Sequence, residues 1–351
     1  MEYSTTAKAL LELLSRPAFC VKDGKIVDAN EFALQRFIEI GDPIEKYLEE
    51  GLDAYRAFTG GCLFVNVTIL ELPYGATVTK LQDYDLFLLE KLSDNARQAL
   101  ALAAKQLRQP LNMMFTIGEG LKQQARAEIL QSVNQLHRLI CNMADLNRYD
   151  TRTALFLRPT ELTELFSETV KKAAAALRVT KIKLHYTALP EIVIGMADPD
   201  MLERAILNII SNAVKFSNQG DTIEATLTRR DDQLIFSVQD NGEGIPPEVL
   251  QTAFFRYMRE PCIEDGRHGL GLGLALVSSI ASCHSGTVLI TQPEKGGTRV
   301  TMTITITPCD GTLLHSPIQL PTSDYASGQD HALLEFSEIL PVRSFKPKSE
   351  N

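Results

Sequence analysis

Apolar and polar residues alternate along PAFCVKDGKIVDAN (17–30) on either side of Asp23-Gly24, the pattern of two strands joined by a tight turn. A short helix is predicted over 31–38, followed by a polar stretch with Gly41, Pro43 and Gly51. GCLFVNVTILEL (61–72) and GATVTKLQDYD (75–85) read as two further strands joined near Pro73-Tyr74-Gly75. The period then changes. Leu100, Ala104, Leu107, Leu111 and Met114 recur at helical spacing within 86–118. Ile129, Val133, Leu136, Ile140 and Met143 do so within about 124–148, and Gly118 and Gly120 mark the turn between these arms. From FLRPTELTELFSETVKKAAAAL (156–177) onward, strands and helices mix. A helix is predicted to 177, strands at 181–187 and 192–198, and a helix from near Met201. Strands at 222–229 and 234–239, a lid-like loop at 246–268, a helix at about 271–283 and strands at 285–291 and 298–306 complete the pattern.

This order predicts an α+β multidomain chain. A small α+β domain takes 1–85, a helical hairpin 86–150, an α/β sandwich 155–308 and a mostly irregular tail 309–351. Two long apolar stripes on one hairpin are ordinarily buried by dimerising into a four-helix bundle, so a homodimer is expected. In the tail, HALLEFSEIL (331–340) is the one convincing element, a strand or a docking helix.

Composition narrows the function. The net charge of −9 argues against a nucleic-acid partner bound by broad phosphate neutralisation. No run of about 18 apolar residues appears, so no membrane span is expected. The six cysteines are scattered, without a Cys-x-x-Cys pair, and read as reduced thiols of a cytoplasmic protein.

The chemistry-bearing residues fall in four stretches. QDNGEGIP (239–246) places Asp240 after a strand-like run, where a carboxylate suits an exocyclic amine, and Gly242 and Gly244 allow close backbone approach. ERAILNIISNAVKFS (203–217) puts Asn208 and Asn212 on one helix face, as oxygen ligands suited to Mg²⁺. Lys215, a turn later, is a point charge for a phosphate. HGLGLGLALV (268–277) sets Gly269, Gly271 and Gly273 before a helix, whose N-terminus favours phosphate. KGGTRVTMTI (295–304) brings Thr298 after a Gly-Gly pair. The competing bland readings are a polar turn for 239–246 and a backbone-capping amide for Asn208.

In order and spacing the four stretches resemble the ATP-binding domain of sensor histidine kinases, in the wider GHKL (HATPase) group. The resemblance implies ATP and Mg²⁺ as cofactors, Asp240 as the adenine-reading carboxylate, Asn212 as the leading metal ligand with Asn208 beside it, and Thr298 near the base. The hairpin is similar to the dimerisation and phosphoacceptor domain of the same kinases, and residues 1–85 resemble a PAS sensor domain through Gly24–Asn30. A response regulator or other signalling protein is the implied partner.

One departure matters. Where the family has His-Glu-Leu-Arg-x-Pro-Leu, this chain has Lys105-Gln106-Leu107-Arg108-Gln109-Pro110-Leu111. An ammonium has no lone pair to receive a phosphoryl group, and glutamine cannot act as a general base. His137, roughly level with Lys105 on the returning arm, is the alternative acceptor. Three functions stay open: a kinase transferring phosphoryl from ATP, a non-catalytic ATP-switched module, and a GHKL ATPase or serine kinase acting on a partner. Glu203 is poorly placed for the activating carboxylate that the third requires.

Overall fold

The computed structural model describes residues 16–90, 123–149, 156–246, 272–309 and 330–345, except 49–50, 71, 82 and 295, together with Leu11, Leu14, Met114, Leu250 and Phe254. Strands β1 (Ala18–Lys22) and β2 (Lys25–Ala29) form the predicted hairpin, with Asp23 and Gly24 both at positive φ. Helix α1 (Glu31–Leu34) is shorter than predicted: the chain turns out of it, and Phe37 adopts φ +63°. Helix α2 (Leu52–Arg56) leads to β3 (Cys62–Ile69), β4 (Leu72–Lys80) and β5 (Asp85–Glu90).

Two sequence expectations are corrected here. The β3–β4 turn lies at Leu70, φ +50°, and Pro73 to Gly75 lie inside β4. Pro73 is tolerated because Thr68, its partner across the ladder, turns its N–H to the Tyr47 carbonyl at 2.8 Å. That pair therefore requires no N–H from proline. Residues 86–90 are strand, not the start of a long helix. The run Leu86 to Leu89 is buried throughout, because β5 is central between β1 and β4. An apolar run covered on both faces has no period to read. Beyond it, the first arm of the predicted hairpin, except Met114, and Lys105 lie outside the described residues.

Helix α3 (Gln123–Tyr149) is the second arm. Next come β6 (Arg158–Glu161), α4 (Leu162–Leu177), β7 (Lys183–Thr187), β8 (Ile194–Ala197) and α5 (Pro199–Phe216). Strands β9 (Thr222–Arg230) and β10 (Gln233–Gln239), helix α6 (Gly273–Cys283), and strands β11 (Val288–Thr291) and β12 (Arg299–Thr305) follow. The last helix, α7 (His331–Glu335), realises the docking-helix alternative for the tail. In β10 and β12 every second residue is buried, so one face of the sheet carries the core under α4, α5 and α6.

Patterning along the chain gave no sign of how the sheet is assembled. The first five strands and β7, β9, β10, β11 and β12 form one ten-stranded sheet, ordered β2-β1-β5-β4-β3-β11-β12-β10-β9-β7, while β6 and β8 pair with each other separately. The junction is an antiparallel β3–β11 pair in the register Phe64↔Val288, Leu63↔Leu289 and Cys62↔Ile290. Side chains alternate between faces, so Cys62, Phe64, Val288 and Ile290 join the larger core while Leu63 and Leu289 join that of the first domain. The two cores thus lie on opposite faces of a shared sheet. Phe64 also packs on Phe254, ring centroids 5.7 Å apart. Burial holds the Cys62 thiol up at about 12, so it behaves as an inert apolar group.

Gly61 enters this junction at φ +94°, and a Cβ there would stand 2.1 Å from the Ile290 carbonyl oxygen. Gly61→Ala is expected to cost about 1–3 kcal/mol and to loosen the β3–β11 pair selectively. Amide hydrogen exchange should quicken at residues 62–64 and 288–290 and not in β9 or β10. Unchanged protection at the junction would contradict this.

Candidate nucleotide site

Asp240 follows β10 directly and is only 5% exposed. Its Oδ1 accepts hydrogen bonds from the backbone N–H of Gly242 at 2.9 Å and of Thr298 at 3.0 Å. Its own N–H donates to the Thr298 carbonyl at 2.9 Å. The ends of β10 and β12 are thereby tied together, and one carboxylate oxygen is fully committed to backbone. Burial pushes the Asp240 carboxyl above its ordinary range, and the Gly242 and Thr298 N–H groups oppose that rise. A Cβ on Gly242 would meet the Phe216 carbonyl oxygen at 2.2 Å, and one on Gly297, at φ +79°, would meet the Asp240 carbonyl oxygen at 2.1 Å. These two positions admit no side chain.

Helix α5 carries the second group of residues. Asp198 caps it by accepting from the Met201 N–H at 3.2 Å, and Pro199 opens its first turn. Most of the helix is buried all round, as a central helix should be. Asn208 is 0% exposed; its Nδ2 donates to the Arg204 carbonyl at 3.0 Å. That is the capping role which competed with a ligand role, but it occupies only one end of the amide. Oδ1 is buried and has no hydrogen-bond partner among the described residues. Such an acceptor costs about 1–3 kcal/mol while unpaired. Asn212 lies one turn on and is half-buried. Gly273, the first residue of α6, faces both: a Cβ built on it would stand 3.1 Å from Asn208 Oδ1 and 3.5 Å from Asn212 Nδ2. The structure therefore brings Asn208, Asn212 and Gly273 together, and separately Asp240, Gly242 and Thr298. Gly244, at φ +81°, continues the second group. Gly269 and Gly271 lie outside the described residues.

Lys215, read from the sequence as a point charge for a phosphate, meets a carboxylate in this structure. Its Nζ lies 2.6 Å from Glu338 Oε2, a residue of the C-terminal segment. His137 is 2% exposed and belongs to the face of α3 that packs on the rest of the chain, with Val133, Asn134, Arg138 and Ile140. Leu136, read as part of the apolar stripe, is 46% exposed. Glu203 is held by Lys172 at 3.1 Å and His331 at 2.7 Å. Burial alone would raise its carboxyl, but the hydrogen bonds and electrostatic pull of His331 and Lys172 bring it below its ordinary range, so it is no poised base.

Sequence reasoning missed the acidic pair Glu335 and Glu338. Glu335 is 0% exposed and meets Arg138 Nε at 2.9 Å and Arg204 Nε at 3.7 Å. Glu338 meets Arg138 Nη1 at 3.3 Å as well as Lys215. The only available signal was an acid-bearing apolar run, LLEFSEIL (333–340), which names no partner.

A mixed sheet with helices on one face, a buried carboxylate at a strand end and paired asparagines on the central helix together define an ATPase domain of the GHKL type. Residues 197–308 match the family described as histidine kinase-, DNA gyrase B-, and HSP90-like ATPase. The chain is 32% identical over 213 residues to the sensor protein KdpD of Clostridium acetobutylicum, covering 60% of this chain and 23% of that protein. It is 29% identical over 210 residues to the sensor histidine kinase ZraS of Escherichia coli O157:H7, covering 57% and 44%. Full-length ShkA, solved in complex with AMPPNP, shares the fold with TM-score 0.50 and 22% identity, covering 61% of this chain and 46% of that one. Residues 197–308 thus form a histidine kinase-like ATPase domain, and the chain is similar to sensor histidine kinases over a wider region. It spans 23% and 44% of the lengths of the two curated relatives above. No helix among the described residues is long and apolar enough to cross a membrane.

Proposed function

We propose that this chain is an ATP-binding sensor-kinase-type signalling protein, with ATP·Mg²⁺ bound between the Asp240 and Asn208 groups. The observation that carries this reading is the buried Asn208 Oδ1, which has no partner among the described residues, beside Asn212 and Gly273. A hard cation that takes oxygen ligands fits that acceptor, and Mg²⁺ held by Asn208 and Asn212 would neutralise phosphate charge. Asp240 supplies the other end: its second oxygen accepts from the adenine amino group, while Gly242 lets the backbone pack against the Phe216 carbonyl and place its N–H on the carboxylate. Thr298 holds the carboxylate through its backbone. Gly273, with Gly269 and Gly271, offers the start of α6 to the phosphates.

Chemistry beyond binding divides the kinase reading from that of a non-catalytic, ATP-switched module. Lys105 and Gln106 stand where the family's acceptor and base stand, and neither does that chemistry. His137 is buried at 2% exposure, which shields it from a γ-phosphate in this arrangement. Both observations favour the module. It would act as a homodimer through its helical arms, in the cytoplasm, with a response regulator or another signalling protein reading the ATP-dependent arrangement.

Calorimetric titration with ATP in the presence and absence of Mg²⁺ tests the reading. Binding is expected with Mg²⁺, and Asn208→Ala should remove most of the Mg²⁺ dependence while leaving adenosine binding in place. Absence of any nucleotide binding by the intact protein would refute it. Incubation with γ-labelled ATP should give no acid-labile label in the module reading. Label that is lost in His137→Ala would favour the kinase.

A further inference from the structure

The C-terminal segment 330–345 lies between helices α3 and α5 and touches both with charged groups. Its apolar residues Ala332, Phe336, Leu340 and Phe345 belong to the core of the ATPase domain, and Leu334 packs on Cys141 of α3. Helix α3 grips its backbone: Gln131 Nε2 donates to the carbonyls of Ser337 and Leu340 at 3.1 and 2.9 Å, and Gln135 Nε2 donates to Ser337 at 3.2 Å. The segment is thus a built part of the domain. Within it Glu338 has two cations, Lys215 of α5 at 2.6 Å and Arg138 of α3 at 3.3 Å.

We propose that Glu338 is a positioning residue of the nucleotide site: it holds Lys215 until a nucleotide phosphate takes it, and Arg138 then keeps the carboxylate. The proposal rests on the reading of this site as an ATP site. Lys215 is one turn from Asn212, whose amide borders Gly273 at the start of α6. A phosphate drawn to the Asn208–Asn212–Gly273 group arrives beside Lys215 and competes with a carboxylate already there. Two anions on one ammonium repel each other, so Glu338 opposes phosphate binding. Arg138 removes the need for the segment to leave: its guanidinium already touches Glu338, and Arg pairs with carboxylates through several donors. As Lys215 turns to phosphate, the Glu338–Arg138 contact strengthens and draws α3 against the segment. Phosphate occupancy is thereby transmitted to the helical arm.

The test uses the full chain. Glu338→Gln keeps the shape and removes the charge. It is expected to bind ATP·Mg²⁺ about five-fold tighter or more, with adenosine, which has no phosphate, bound as in the wild type. In the unaltered protein, amide exchange over residues 131–142 is expected to slow when ATP·Mg²⁺ is added. Equal ATP affinity in the two proteins would overturn the proposal, as would an equal gain for adenosine or unslowed exchange in α3. If neither protein binds ATP or adenosine, the nucleotide reading itself fails and takes this proposal with it.

Discussion

Asp240→Asn is expected to weaken ATP binding roughly 10- to 150-fold, corresponding to about 1.5–3 kcal/mol for a hydrogen bond to a charged group. Oδ1 of Asp240 already accepts from two backbone N–H groups, at 2.9 and 3.0 Å. The amide of asparagine must keep its oxygen there, since its NH₂ would face two donors. The NH₂ then occupies the place of the second carboxylate oxygen and opposes the adenine amino group, donor against donor. Stability should move the other way. Burial raises the Asp240 carboxyl, so in the ligand-free protein its charge is disfavoured by folding. An acid whose folded pKa is raised makes the fold less stable above that pKa and releases the penalty as pH falls through it. Neutral asparagine should therefore leave the ligand-free protein as stable at neutral pH, or slightly more so. Thermal melts with and without ATP·Mg²⁺ separate the two effects. A variant that keeps its ATP-induced stabilisation would show that Asp240 does not read the base.

Glu335→Ala should be the most damaging single change in the C-terminal segment, at about 3–5 kcal/mol. Glu335 has no exposed surface, and it answers two guanidinium groups that are themselves buried, Arg138 and Arg204. Removing it leaves those cations with less compensation in a poorly solvated place. The chain can limit the loss only by undocking the segment, which exposes Leu334 and Phe336. Either way, limited proteolysis should cut within 330–345 far faster than in the wild type. Glu338→Ala should do much less, because that side chain is already 22% exposed. Acid should mimic part of the effect. Burial pushes the Glu338 carboxyl up, but Arg138 and Lys215 outweigh it and hold it below the ordinary range. A carboxyl depressed in this way stabilises above its unfolded pKa and stops contributing as pH falls through its folded value. The segment should therefore loosen below the usual carboxylate range. Equal protease resistance of Glu335→Ala and wild type would show that the buried pair does not hold the segment.

Local pattern determined a good deal of this protein. The alternation in LIFSV (234–238) and RVTMTI (299–304) marked strands with one buried face, and β10 and β12 have that form. The apolar spacing marked a helix from near Met201 that carries Asn208, Asn212 and Lys215, and α5 has them, starting two residues earlier at Pro199. The glycines that must lack a side chain, Gly242 and Gly297, stood in recognisable stretches. Such features are legible because their cause lies within a few residues: a period, a cap, a positive φ. Other features depended on tertiary structure. The run Leu86–Leu89 looked like the edge of a helix because burial on both faces erases alternation. The β3–β11 junction joins two hairpin-like halves through backbone groups, and a backbone edge has no sequence signature. Helix α3 buries Asn134, His137 and Arg138 as well as Val133 and Ile140, since the surface it meets carries Glu335 and Glu338. Arg138 and Glu335 are 197 residues apart in the chain. Each alone reads as a solvated charge, and only the fold brings them to 2.9 Å in a buried place where screening is weak.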